Sequence, residues 1–339
     1  SDALDRNNLL PEGSEIQERF LQERSMAVYR VEQLNHELEQ ICRIFEDNEL
    51  PHIPLKGSVL RGYYPQSWMR TSCDIDILVK KEDIQRAVQV LKDNGFKYKE
   101  TQSHDVQFWA ESGVHIELHF DLIEESVAEK SAETLAQAWE RTNPCEGWKY
   151  RLEFDNEFFY LYHIAHMAKH FLNGGCGIRP FLDIWILNQK VAFNVQEKEN
   201  LLKQAELYTF EQNAEKISKI WFEKAEHDEL TTQVENYIVG AGVYGSMDNQ
   251  IALEQTKLGG KRKQFATRIF LPYNSLKLTY PKLKKYPVLV PFYQVKRWFR
   301  IVFGKNYKKA LKELKGIATT TEAKKERLTT LCNNLGLSK

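Results

Sequence analysis

Asp74 and Asp76 are separated by one apolar residue in the run Asp-Ile-Asp-Ile-Leu-Val, residues 74–79. The run begins by alternating polar and apolar and ends wholly apolar. That predicts a strand with one polar face near its start. Successive side chains on a strand point to opposite sides, so both carboxylates share one side, within reach of one cation. Such a pair can hold the divalent metals that neutralise a triphosphate and activate an attacking oxygen. A third acid is supplied by Glu117 in His115-Ile-Glu-Leu-His-Phe120, where polar and apolar residues alternate strictly. One face of that strand is His/Glu/His, and the other belongs to the core. His115 and His119 either line an open cleft or are buried, hydrogen-bonded histidines.

Upstream, Gly57-Ser58 sits where a strand gives way to a helix. Glycine lets a backbone approach a phosphate closely, a helix start offers free N–H groups, and Ser58 adds a hydroxyl. Lys56 and Arg70 are nearby cations suited to a triphosphate. A second polar group falls in Tyr160–Phe171, where His163, His166 and His170 are spaced to share a helix face with Lys169 beside them. Gly174-Gly175-Cys176-Gly177 follows, leading to Arg179 and Asp183. Three readings stand for this stretch: a cleft wall that binds triphosphate or acceptor, a three-histidine zinc site, or a polar helix face with a glycine-rich end.

The elements that must position these groups are legible in outline. Residues 14–48 predict one long helix, with Ser14 and Gln17 as a capping box, apolar Phe20, Met26, Val28 and Leu34, and Pro51 and Pro54 beyond its end. A short helix is expected over 55–63, a loop over 65–72, and an amphipathic helix over 81–94 stopped by Gly95. Strands are expected over 106–110 and 114–120. From about Ser126 the pattern turns helical, with helices over 131–141, 155–172, 180–191, 198–207, 211–223 and 229–240. Residues 241–263 read as a linker, prolines divide the final third, and 294–315 read as a basic amphipathic helix.

Composition sets outer bounds. The chain has 339 residues, 42% hydrophobic and 12% aromatic, enough for real cores. Net charge is zero, yet residues 257–315 hold 17 Lys/Arg against the single acid Glu313. Within that region basic and aromatic residues interleave, including Lys296-Arg297, Arg300, Lys305, Trp298 and Phe299. The pattern suits an anionic membrane surface or a polyanion, or a solvated face over an aromatic core. Cys42, Cys73, Cys145, Cys176 and Cys332 form no paired motif, and no long apolar run occurs. Free thiols and a cytoplasmic location are expected.

Lys56-Gly57-Ser58, then Asp74-Ile75-Asp76, then Glu117 on a later strand resembles the signature of the DNA polymerase beta-like nucleotidyltransferases. More narrowly, Pro54–Ser58, Arg70–Val79 and His115–His119 resemble a family of uncharacterised bacterial nucleotidyltransferases, most clearly over 50–190. The spacer before the first acid is longer than in the tightest version of that pattern, and Cys73 stands where a glycine often precedes the acid. The resemblance implies an α+β fold, a small mixed sheet with a leading helix and a mainly helical C-terminal region. It implies Asp74, Asp76 and Glu117 as catalytic residues and ligands of Mg²⁺ or Mn²⁺, two ions in all. Nucleotide would be bound by Gly57, Ser58, Lys56, Arg70, His166, Lys169, His170 and Arg179. The expected activity is transfer of a nucleoside monophosphate from an NTP to an acceptor hydroxyl on a small molecule, glycan or protein. The rivals are a non-catalytic nucleotide-binding module that kept the fold, although none of the three acids is missing, and a membrane- or polyanion-associated module built around the basic region. The expected organisation is a helix over 1–50, a catalytic core over 51–125, a helical domain over 126–240 completing the cleft, and a basic helical region over 241–339.

Overall fold

The computed structural model describes residues 13–102, 104–122, 129–243, 245–304 and 307–337. The first residues of the expected leading segment, the expected helical onset at Ser126, and Lys305 lie outside these. The chain is α+β and divides into two compact units.

The first unit comprises residues 1–123, 135–159 and 186–193. Its leading helix α1, Glu15–Asp47, is capped by Ser14, whose hydroxyl accepts the Gln17 N–H. The Gln17 side chain returns to the N–H of Gly13 rather than to that of Ser14, so the box closes one residue early. Phe20, Met26 and Val28, which recur at helical spacing in the sequence, are exposed. The buried stripe starts at Val31 and runs through Leu34, Leu38, Ile41, Cys42 and Phe45. The apolar spacing of the first three turns therefore marks helix but not core.

Five strands form one sheet: β1 His52–Pro54, β2 Asp74–Val79, β3 Lys97–Thr101, β4 Asp105–Trp109 and β5 His115–His119, in the order β1-β2-β5-β4-β3. Helix α2, Gly57–Leu60, follows β1, and α3, Ile84–Asp93, follows β2. Strands β2 and β5 pair in parallel; the other pairs are antiparallel. Sequence pattern shows β2, β4 and β5 but not β1 or β3. Strand β1 is three residues between prolines, too short to display a period. Strand β3, Lys-Tyr-Lys-Glu-Thr, is exposed throughout at the sheet edge, where charge discourages pairing with another chain and no apolar alternation is needed.

Ile75, Ile77 and Val79 of β2, Ile116 and Leu118 of β5, and Val106 and Phe108 of β4 pack against the buried stripe of α1 and against Ala87 and Leu91 of α3. One face of the sheet is thus closed by helices, and the polar face carries the candidate chemistry. A second small sheet pairs β6, Thr142–Pro144, with β7, Leu152–Phe154. The loop between them is tied to α1 by Glu46, whose carboxylate accepts backbone N–H groups of Lys149, Tyr150 and Arg151.

The second unit comprises residues 124–134, 160–185 and 194–339. Its helices are α4 Glu129–Leu135, α5 Asn156–Leu172, α6 Arg179–Lys190, α7 Val195–Gln204, α8 Tyr208–Glu223, α9 Glu229–Ala241, α10 Met247–Leu258, α11 Lys261–Ile269, α12 Tyr273–Thr279, α13 Val290–Val302, α14 Tyr307–Thr319 and α15 Glu322–Asn334. Helices α4, α5 and α6 each also lend residues to the first unit. Residues 241–263, expected as a linker, contain all of α10 and the start of α11. Ile251, Ala252 and Leu253 are buried there, and Gln255 donates to the carbonyl of Ile317 at 3.0 Å. Three adjacent residues and Gln255 carry the burial of α10, too few to register as a pattern. The basic helix expected over 294–315 is two helices, α13 and α14, divided at Gly304. Among the described residues no helix is long and apolar enough to cross a membrane, and all five cysteines are free thiols.

His52 on β1 is fully buried, and its Nδ1–H donates to the carbonyl of Leu50 at 2.9 Å. Burial holds its pKa down to about 4, against 6.5 for an ordinary histidine. The unfolded chain therefore binds a proton there before the folded one does. Stability from the neutral ring is intact above pH 6.5 and is lost as pH falls toward 4, by about 3 kcal/mol in all. We expect the urea midpoint to fall over that interval, and His52→Gln to flatten part of the fall. Identical pH slopes for the two proteins would contradict this origin.

Candidate active site

The site is set by strand register. In the parallel pair, Asp74 faces His115, Asp76 faces Glu117, and Leu78 faces His119. On the other side of β5, Gln107 faces Glu117 and Asp105 faces His119. Period-two geometry therefore gathers Asp74, Asp76, His115, Glu117, His119, Asp105 and Gln107 on the face opposite the helices.

Asp76 is the centre of this face. It is buried, and its Oδ1 receives Lys56 Nζ at 2.8 Å and His119 Nε2–H at 2.7 Å. Glu117 Oε2 lies 3.6 Å from the same imidazole nitrogen, and Glu117 Oε1 lies 3.8 Å from His115 Nδ1. Burial works to raise the Asp76 pKa, but Lys56 and His119 together pull it far below the ordinary range. Glu117 goes the other way: burial, and then the neighbouring Asp76 charge, push it up to about 7. Asp74 is also raised, by burial and by Asp76. One carboxylate is thus held ionised while its neighbour titrates near neutrality, the division expected when like charges share a site.

The turn before α2 brings Lys56 to Asp76. Leu55 N–H bonds the Asp76 carbonyl at 2.9 Å, extending the β1–β2 ladder by one residue. Lys56 then adopts φ +48°, ψ −121°, a conformation normally left to glycine, which costs about 1–3 kcal/mol. The Lys56–Asp76 ion pair offsets that strain. Gly57 is required by close approach: a Cβ there would lie 2.9 Å from Ser72 Cβ. Among the described residues, the buried Ser58 hydroxyl has no hydrogen-bond partner. Arg70, well buried, donates to the carbonyl of Thr71 at 2.9 Å.

Arg61 gave no signal in the sequence, yet it holds this turn together. Its buried guanidinium donates to the Gly57 carbonyl at 2.9 Å, to Asn35 Oδ1 on α1 at 2.8 Å and to Ser72 Oγ at 2.8 Å. Ser72 in turn donates to the Asp74 carbonyl at 3.3 Å. One side chain therefore joins the leading helix, the glycine turn and the start of β2. Burial lowers its pKa only to about 10, so it stays charged.

Two groups of three donors come within 4.8 Å of one another among the described residues: Asp76, Glu117 and His119, and His104, Asp105 and His119. Asp74 is on the same face but belongs to neither group, whereas His119, seen in sequence only as an ambiguous neighbour, belongs to both. Two carboxylates and an imidazole on one polar face suit a hard divalent ion such as Mg²⁺ or Mn²⁺. The unpartnered Ser58 hydroxyl is a donor or acceptor in keeping with a polar ligand at the turn. The residues present fit the group.

The remaining expected nucleotide contacts belong to the second unit. His166 and His170 pair through Nε2 atoms 3.2 Å apart on the surface of α5, with Lys169 partly buried between them in sequence. His163 turns inward and meets the Pro180 carbonyl at 3.2 Å. The three histidines form no three-donor group among the described residues. Arg179 is exposed at the start of α6, and Asp183 is fully buried. The glycine run is a packing device. A Cβ on Gly174 would lie 2.5 Å from the Ser246 carbonyl oxygen, and one on Gly175 2.7 Å from Ala241 Cβ.

Replacing Gly57 by alanine should destabilise the chain by about 1–3 kcal/mol through overpacking against Ser72. A urea midpoint equal to that of the unaltered chain would show that the turn can relax around the added methyl.

A family model described as uncharacterised nucleotidyltransferase matches residues 2–223. No curated protein and no solved structure matches the chain.

Proposed function

The chain belongs to the uncharacterised nucleotidyltransferase family, and from that premise we propose that it transfers a nucleoside monophosphate from an NTP to an acceptor hydroxyl, breaking the α–β phosphoanhydride bond and releasing pyrophosphate, using divalent metal. The observation that carries the reading is the register of β2 and β5, which sets Asp76 opposite Glu117 with His119 in the same donor group. Asp76 and Glu117, with Asp74 on the same face, would hold Mg²⁺ or Mn²⁺, two ions in the full site. Bound there, the metal supplies charge neutralisation at the triphosphate and acidifies the acceptor hydroxyl.

The protein groups divide the remaining work. Asp76, kept ionised by Lys56 and His119, is a permanent anion at the centre of the site. Lys56 reaches it on a flexible stem and would shift its ammonium to a phosphate oxygen when the nucleotide enters. Gly57 and Ser58 would meet the phosphates, the first by leaving backbone exposed and the second through its hydroxyl. Arg70 would add positive charge. Glu117 would complete the metal site, or accept the acceptor's proton directly. His166, Lys169, His170 and Arg179 would contact nucleotide or acceptor. The organisation proposed is a leading helix over 1–50 supporting a catalytic core over 51–125, a helical domain over 126–240 and a basic region over 241–339.

Titration calorimetry with each NTP, in Mg²⁺ or Mn²⁺ and in chelator, tests the premise. Metal-dependent binding is expected, with turnover of labelled NTP reduced about a hundredfold or more in Asp76→Asn and in Glu117→Gln. Lys56→Ala should chiefly weaken nucleotide affinity. If the unaltered chain binds no nucleotide with metal present, the enzyme reading is wrong.

A further inference from the structure

Helix α13 turns Gln294 and Arg297 inward together with the half-buried Tyr293, Trp298 and Ile301. Gln294 is its one buried residue, and its amide serves both the N–H and the carbonyl of Leu271, at 3.3 and 2.7 Å. Arg297 donates to the carbonyls of Arg268 and Ile269 at 2.8 and 3.2 Å, and Trp298 Nε1 donates to Ile269 at 2.7 Å. These contacts finish the C-terminal end of α11 with hydrogen bonds, beside edge-on packing of Trp298 against Phe270 at 5.4 Å.

The outward side is the apolar one. Phe292, Val295, Phe299, Val302 and the capping Phe303 lie within about 100° of arc at 3.6 residues per turn. Phe292 is 62% exposed, Phe299 60% and Phe303 80%. Val288, just before the helix, is 82% exposed. A surface helix of a globular protein has the reverse arrangement, with its apolar stripe on the core. Lys296 and Arg300 are exposed alongside the stripe, and Lys282, Lys284 and Lys285 are exposed just before it. The surrounding region, 257–315, carries 17 Lys/Arg, and its one acid, Glu313, is already paired with Arg268 at 2.5 Å.

We propose that α13 is an interfacial anchor that lies on an anionic lipid bilayer, with Phe292, Val295, Phe299, Val302 and Phe303 entering the acyl boundary and Lys296 and Arg300 meeting the headgroups. Aromatic and aliphatic insertion beside a row of cations fits a bilayer, where depth of burial and surface charge act together. A polyanion would use the cations and leave the five apolar side chains in water. The proposal is independent of the nucleotidyl-transfer reading, since it uses none of the site residues.

Co-sedimentation of the full 339-residue chain with extruded vesicles tests it. We expect binding to phosphatidylcholine containing roughly one third phosphatidylglycerol, and about tenfold weaker binding to phosphatidylcholine alone or in high salt. Phe299→Asp with Phe303→Asp should lower the affinity for anionic vesicles about tenfold or more without altering the circular dichroism spectrum, because both rings are exposed. Lys296→Glu with Arg300→Glu should remove the preference for anionic lipid. Failure to bind anionic vesicles overturns the proposal, as does binding that the two Phe→Asp changes leave intact. A dimer by light scattering that the same changes dissociate also overturns it, in favour of a second copy on this face. RNA binding without vesicle binding would overturn it in favour of a polyanion.

Discussion

Two carboxylates placed opposite each other on parallel strands repel, and much of the first unit is arranged around the charges that hold them together. The register of β2 and β5 fixes Asp76 against Glu117. Lys56 and His119 then close on a single oxygen of Asp76, within 2.8 Å each. Their field keeps Asp76 ionised, and burial together with that anion pushes Glu117 toward neutrality. Remove the register and the group disperses, because the side chains alternate across the sheet and a slip of one residue sends each to the other face.

The strained backbone at Lys56 belongs to the same device. Its left-handed conformation aims the side chain back over β2, and the turn is kept in place by Gly57 against Ser72 and by the Arg61 guanidinium. Arg61 reaches Asn35 on the leading helix, so α1 supports the site as well as covering the sheet. The apolar stripe of α1 and the guanidinium contact are two uses of one helix. The first closes the core, and the second sets the entrance to the polar face.

The second unit shows the opposite economy. Its glycine run, which in sequence invites comparison with a ligand-binding loop, is consumed in close packing against Ala241, Val243, Gly245 and Ser246. Its histidines divide between an inward contact to Pro180 and a surface pair. Helix α13 is held by polar contacts and by the rings of Trp298 and Tyr293 and leaves its Phe/Val stripe outside, so hydropathy pattern alone identifies the helix and misplaces its core-facing side.

Alternation in Asp-Ile-Asp and His-Ile-Glu-Leu-His was enough to assign two strands and the face each acid occupies, because period two is a local property of the backbone. The same holds for the long first helix, for α3 and for most helices from 156 to 241, where apolar spacing or caps carry the signal. Strand β3 and helix α10 stayed hidden. One is an exposed edge with no apolar face to show, and the other buries a few adjacent residues that only their distant partners, such as Ile317, make into a core. Which acids meet was likewise beyond the sequence. Strand pairing brought Asp76, Glu117 and His119 within 4.8 Å and left Asp74 out of that group. Residue types and spacing determined the chemistry available to this protein. The tertiary structure decided which side chains share one donor group, because hydrogen-bond register joins residues 41 positions apart and no local pattern records it.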